Sequence, residues 1–503
     1  MRRALGASRF RLARQLLAES LLLSIAGAAL GLVVARWGSR LLVSQFSTSV
    51  STAFLDLPLD WRLLGFATGV AVATAVLFGT VPALRAARSD ANEALRDGRG
   101  LLGSGRRVVG HTLVVAQIGL SLALVVAAGL FVRSFTSLAT LDTGFDTDRL
   151  LAVRVSAPPG AVAPDAAVAF FDRVRDAAAS VPGVERVAVS TLVPLGGSTT
   201  AYRIEVPEGP PLTPSSRVVN VNFVGPGWFA TFGTPLVAGR DFTAHDRTGS
   251  PLVVMVNQTL ARRFFGGQSP LGRQVRIQGG GFTSVADIVG VVGDAVYRDL
   301  REPLPPTMYI PLAQFARQSH HPMASAISVL LRSASGSPAA IAPGVVAAIT
   351  KLDPTLSLSV RTVRDQVDAA LTQERLVAML AGFFGVLALL LAGIGVYGVT
   401  AYGVHRRRTE LGLRMALGAA PAGVMRLVLR RVAVLTALGV LAGGAASFWA
   451  ARFVGSLLYG IEPRDPSTFA AAAAVLALVG LLAGAIPAWR AARVDPSVAL
   501  RCG

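Results

Sequence analysis

A chain of 503 residues that is 52% hydrophobic, with a mean hydropathy of +0.56, is too apolar for an ordinary soluble protein and long enough for several domains. Its net charge of +19 rests on arginines and the single lysine Lys351, yet no nucleic-acid recognition module is visible, so nucleic acid is not an expected partner. Cys502 stands alone, which excludes a disulfide framework.

In chain order, the first landmark is the motif Ala4-Leu5-Gly6-Ala7 in a basic N-terminal segment. Six stretches then carry about 20 mostly apolar residues each, enough to cross a bilayer core. They lie at 17–43, 63–84, 108–132, 376–404, 432–451 and 468–489. The first is the least clean, because only 20–35 is free of charge and Arg36 must snorkel outward. It is too long for a signal peptide and lacks a small-residue cleavage site, so it reads as an uncleaved anchor. Between the third and fourth stretches, alternation and Pro/Gly punctuation predict a mixed α/β (α+β) domain in two lobes. Strands are expected at 150–155, 185–190, 218–224, 252–256, 286–292 and 327–331, and helices at 161–179, 258–265 and 340–351. The segment 196–217 is rich in Gly, Pro, Ser and Thr and reads as a loop.

Charge sorts by segment. Segments 1–19, 84–110, 404–431 and 490–503 hold 21 arginines against six acids, a net +15 of the chain's +19. By the positive-inside rule these segments are cytoplasmic, both termini included, and 133–375 lies outside. The expected fold class is therefore an α-helical membrane protein of six transmembrane helices with one large outer domain.

Motifs for catalysis are missing, and no catalytic, cofactor or metal site is expected. Residues 393–398, Gly-Ile-Gly-Val-Tyr-Gly, match the dinucleotide fingerprint, but they sit inside an uncharged span rather than at a strand-to-helix turn. A P-loop needs Gly-Lys-Ser/Thr, and Lys351 follows Thr350. His320-His321 has no third ligand nearby in sequence and reads as a solvated loop. No acid or base lies in the middle of any span, so ion coupling has no carrier there. Small-xxx-small pairs are frequent, at Gly27/Gly31, Gly65/Gly69, Gly439/Gly443 and Gly480/Gly484, and suit close helix packing in lipid.

An internal repeat organises the chain. Ala4-Leu5-Gly6-Ala7 recurs as Ala416-Leu417-Gly418-Ala419, an offset of 412 at which Gly27 meets Gly439, Gly31 meets Gly443 and Trp37 meets Trp449. Further on, 79–88 matches 484–493, with Gly79 on Gly484 and Pro82 on Pro487. Both copies run the same way, so this is a parallel duplication. Gly27, Gly31, Gly439, Gly443, Gly79 and Gly484 are the expected helix-packing positions.

The segment from Arg408 to Ala419 resembles the E-x-x-x-R-x-A-L-G-A signature of the FtsX-like permeases, including the MacB and LolC/LolE type, with Glu410, Arg414 and Ala416 to Ala419 at matching positions. The outer segment is similar to a MacB periplasmic core domain over 256–265, 269–272, 289–294 and 309–314, and the duplicated layout is similar to the duplicated orphan permeases. The resemblance implies the permease subunit of an ABC-transporter-like system in a bacterial inner membrane. It implies a separate ATPase subunit, membrane lipid, a periplasmic or outer-membrane partner, and a dimer or pseudo-dimer. The alternative it leaves open is an FtsX-like signalling or scaffold protein that regulates a periplasmic partner. It implies ATPase coupling through Arg408, Glu410, Leu411, Arg414, Met415, Ala416, Leu417, Gly418 and Ala419, and through Leu5, Gly6 and Ala7 of the first copy.

The implied domains are a partial first permease unit (1–100), a linker and span (101–132), the periplasmic core (133–375) and a second permease domain with three spans (376–503). The first copy holds only Arg3 to Ala7 of its signature. Its leading span, outer domain and second span are expected upstream of Met1 or from a partner chain.

Overall fold

The computed structural model describes residues 9–46, part of 65–76, 103–315 and 326–493, with short interruptions at 159, 164–165, 197–198, 208, 280–281, 335 and 418–419. The chain divides into two compact units. One comprises Met1–Gly129, Ala378–Phe453 and Arg464–Gly503, and the other Leu130–Val377 with Val454–Pro463.

The first unit is helical. Its elements are α1 (Arg9–Phe46), α2 (Gly103–Ala139), α3 (Thr372–Arg406), the short α4 (Arg408–Ala416), α5 (Pro421–Val454) and α6 (Pro466–Ala492). Among the described residues, five helices are long and apolar enough to cross a membrane: α1, α2, α3, α5 and α6. The expected span at 63–84 falls largely outside the described residues. The start of α6 shows why a polar residue sits beside an apolar run. Asp465 accepts hydrogen bonds from Thr468 N (2.8 Å) and Thr468 Oγ1 (2.6 Å), and Pro466 follows it at a position where no N–H is needed.

Small residues set the packing of this unit. On α5, Val432, Thr436, Gly439, Gly443, Ser447 and Ala451 form one buried stripe at helical spacing. A Cβ on Gly439 would stand 2.5 Å from the Ile118 side chain of α2, and one on Gly443 would stand 2.5 Å from the Gly119 carbonyl oxygen. A Cβ on Gly484 of α6 would meet Val432 at 2.8 Å. Helices α2 and α3 are tied by polar groups in mid-span: Gln117 Nε2 donates to the Leu391 carbonyl (2.7 Å) and Ser121 Oγ to the Ala388 carbonyl (3.0 Å). Such bonds stand in for the hydrophobic drive that lipid removes.

The second unit is built on one sheet of eleven strands. They are β1 (Leu150–Ser156), β2 (Val184–Ser190), β3 (Thr200–Glu205), β4 (Val218–Val224), β5 (Leu236–Gly239), β6 (Val253–Asn257), β7 (Gln274–Gly279), β8 (Phe282–Val292), β9 (Thr307–Pro311), β10 (Ala326–Ser333) and β11 (Ser357–Thr362). Strands β11-β1-β10-β2 form an antiparallel lobe. Helices Ala167–Ala179 and Ala342–Leu352 contribute Phe170, Phe171, Val174, Val345 and Ile349 to its apolar core. The other lobe is a ring, because β4-β3-β7-β8-β6-β9 closes through the parallel pairing of β9 with β4. A ring leaves no unpaired edge for stray strands.

Most expected strands stand within a residue or two of their predicted positions, and Gln258–Phe265 is a helix as expected. Asn257 caps it, accepting from Leu260 N at 3.0 Å. Two expectations are corrected. The segment read as a loop, 196–217, contains β3, in which Tyr202 and Ile204 point into the core while Ala201 and Arg203 are exposed. That period of two was hidden by the Gly/Pro-rich flanks. The helix expected from 161 begins at Ala167.

Candidate functional site

The signature segment folds as α4, and its charges follow the helix dipole. Glu410 lies in the first turn and Arg414 in the last. They form an i,i+4 ion pair, Arg414 Nη2 to Glu410 Oε1 at 2.7 Å, with both side chains about half exposed. Such a pair is worth only about 0.3–0.5 kcal/mol. The positive run that precedes it carries a tight connection from α3, in which Arg407 N donates to the Val404 carbonyl (3.1 Å) and Leu411 N to the Arg407 carbonyl (2.9 Å).

Two apolar faces define what this helix can do. Leu411 is 3% exposed and forms a small core with Val424 of α5 and Ala491 of α6, flanked by Val404 of α3 and by Met415. One side of α4 is thus bolted to the ends of three spanning helices. Leu413 and Leu417 lie one turn apart, about 200–240° round the helix from Leu411 at 100° per residue. They are 46% and 82% exposed. An apolar pair therefore stands exposed on the same short segment as the ion pair.

The structure thus brings Glu410, Leu411, Arg414, Met415 and Ala416 onto one helix that begins at Arg408, with Leu417 as its C-cap. Gly418, Ala419, Leu5, Gly6, Ala7, Gly79, His320 and His321 lie outside the described residues. Of the expected packing glycines, Gly439, Gly443 and Gly484 are closely packed, while among the described residues no atom outside the local α1 backbone lies within 4 Å of a Cβ at Gly27 or Gly31. Leu413 was not singled out from sequence, since a leucine among arginines carries no sign of which face it takes. Gln117 was missed as well. Gly395, inside the dinucleotide-like sextet, is the place where Gln117 approaches α3, and a Cβ there would lie 2.4 Å from its Oε1. Among the described residues no three His, Cys, Asp or Glu side chains gather as a metal site.

The β-rich unit contains an electrostatic clasp at Asp246. Asp246 receives Arg240 through two bonds of 2.8 and 2.9 Å and the Thr243 N–H at 2.8 Å. The guanidinium holds its carboxyl below the usual range, whereas burial pushes neighbouring Asp241 up.

Residues 112–352 match the family model of the MacB-like periplasmic core domain, and residues 1–91 and 382–496 match that of the FtsX-like permease C-terminal. The chain belongs to the FtsX/MacB-type ABC permeases. The permease is 28% identical over 286 residues to the macrolide export ATP-binding/permease protein MacB of Rhodospirillum rubrum, a match covering 56% of this chain and 42% of that protein. It is 27% identical over 287 residues to the ABC transporter permease YknZ of Bacillus subtilis, covering 56% of this chain and 69% of that one. The permease thus spans less than half of the MacB relative and about two thirds of YknZ. The crystal structure of the periplasmic region of MacB from Actinobacillus actinomycetemcomitans aligns at a TM-score of 0.31 and 16% identity, over 46% of this chain and 96% of that structure. With its apolar helices and its core domain, the permease is a membrane protein with a periplasmic domain.

Proposed function

We propose that this permease is the membrane subunit of an ABC-transporter-like system, in which α4 docks on a separate cytoplasmic ATPase and passes its motion to the periplasmic domain for export, efflux or lipoprotein work. The observation that carries this reading is the division of α4 into an anchored face, Leu411, and an exposed apolar face, Leu413 with Leu417. A rigid helix held at one side and presented at the other transmits displacement instead of absorbing it. The chain enters the second unit within α2, at Leu130, and leaves it within α3, whose far end carries α4. Naming of the MacB relative as an ATP-binding/permease protein supports an ATPase partner. The excess of arginine at 1–19, 84–110, 404–431 and 490–503 supports cytoplasmic termini, and the duplicated permease segments support a dimer or pseudo-dimer.

The test is a pull-down of the tagged full-length permease from its native membrane, with ABC ATPase subunits identified by mass spectrometry. Leu417→Asp is expected to leave the membrane level near that of the parent and to remove the ATPase. Retention of the ATPase by Leu417→Asp, or its absence from the parent complex, sinks the reading.

A further inference from the structure

One cavity of the helical unit is not accounted for by ATPase docking. It has a volume of about 720 Å³ and lies among the first turns of α2 (Gly110, His111), the last turns of α3, the start of α4 (Glu410, Leu411) and the first part of α5. That size falls within the roughly 300–1,000 Å³ typical of small-molecule sites. Leu413 and Leu417 do not line it.

Its lining is divided by polarity. Arg406 ends α3 and Arg407 follows it in the connection to α4, while Arg430 and Arg431 stand just before the apolar run of α5 that begins at Val432. His111 joins them, its Nε2 lying 2.7 Å from Arg431 Nη2. Among the described residues of the lining Glu410 is the one carboxylate, and it is engaged by Arg414, which stands outside the cavity. Among the described residues no carboxylate pairs with Arg406, Arg407 or Arg430. The remaining wall is apolar and opens outward, with Leu427 43% and Val434 52% exposed. Four guanidinium groups at the end of the spans, above an apolar wall continuing into them, match an amphiphile with an anionic head and hydrocarbon tails. A free anion would leave the apolar half unfilled, and a neutral lipid would bring no negative charge to Arg406, Arg407 and Arg430.

We infer that this cavity is a binding site for an anionic phospholipid, its phosphate among Arg406, Arg407, Arg430 and Arg431 and its acyl chains along Leu427, Val434 and Leu435. Basic pockets between spanning helices hold lipid headgroups by this combination of charge and burial. The bound lipid wedges between α3 and α5 and touches Glu410 and Leu411, so the membrane's own composition bears on the position of α4. The inference does not depend on the identity or existence of the ATPase.

The experiment is native mass spectrometry of the purified full-length permease, exchanged into micelles with added phosphatidylglycerol or phosphatidylcholine, with inorganic phosphate as a separate arm. The parent is expected to retain phosphatidylglycerol and shed phosphatidylcholine. The double variant Arg407→Ala/Arg430→Ala should bind phosphatidylglycerol roughly tenfold more weakly. The charge-matched control Arg14→Ala/Arg452→Ala, at two arginines that do not line the cavity, should bind as the parent does. Leu427→Trp, which fills the apolar wall without changing charge, should also lose the lipid, and it decides the matter if the arginine variant does not fold. Equal retention of both lipids, equal loss in the control, unchanged binding by Leu427→Trp, or displacement of lipid by millimolar phosphate would each overturn the inference.

Discussion

At the residue scale, the signature of α4 divides into positions that hold the fold and positions that do not. Glu410 and Arg414 are half exposed, and their pair contributes only about 0.3–0.5 kcal/mol. Glu410→Ala should therefore shift the melting temperature by no more than about 2 °C in a thermal scan of the purified permease. Leu411→Asp puts a carboxylate into the small apolar core with Val424 and Ala491 and removes the leucine's packing there. Its expected cost is about 3–5 kcal/mol, read as loss of folded protein from the membrane fraction. Asp246 offers a prediction with a pH sign. Its carboxyl is lowered by Arg240, so its contribution is present above the ordinary carboxylate range and is lost as pH falls through the lowered value. Asp246→Asn should cost about 2 kcal/mol at pH 7, and the gap from the parent should narrow below about pH 4. A gap that stays constant from pH 7 to pH 3 would show that the charge is immaterial.

At the element scale, the same glycine pair meets two different surroundings. Gly443 faces the backbone of Gly119, whereas among the described residues no atom outside the local α1 backbone lies within 4 Å of a Cβ built at Gly27 or Gly31, and the apolar window of α1 is unburied. A side chain at 443 must push α5 and α2 apart, since a backbone carbonyl cannot swing away as a flexible side chain does. Gly443→Leu is expected to lower the melting temperature by roughly 5 °C or more, and Gly27→Leu to leave it unchanged in the isolated chain. If Gly27→Leu is as damaging, another helix covers α1. Gly395 belongs to the same logic, with Gln117 rather than a nucleotide as the reason for glycine in that sextet.

At the scale of the whole molecule, arginine placement is the lever for orientation. The four segments with a net +15 predict that reporter fusions at Gly103 and Arg408 read as cytoplasmic and those at Gly197 and Gln366 as periplasmic. A cytoplasmic signal at Gly197 would reverse the proposed arrangement and with it the docking role of α4. The two polar ties between α2 and α3, at Gln117 and Ser121, hold these helices without any charge in mid-span.

What the amino-acid sequence determined by itself is whatever depends on near neighbours. Apolar runs long enough for a bilayer, the alternation of strands such as Val218–Val224, the charge asymmetry and the repeat of Ala-Leu-Gly-Ala are all local patterns, and each survives without knowledge of the fold. The family came from a resemblance, that of Glu410, Arg414 and Ala416 to Ala419 and of stretches such as 256–265 to known signatures. Only tertiary structure decided the rest, because it depends on partners far apart in the chain. β3 is a strand because β4 and β7 flank it, and the ring closes because β9 lies parallel to β4. Leu411 and Leu413 are the same residue two positions apart, and only the arrival of Val424 and Ala491 makes one an anchor and leaves the other exposed. The basic cavity likewise needs His111 and Arg431, separated by 320 residues, to meet at one end of the spans, a juxtaposition that no local periodicity encodes.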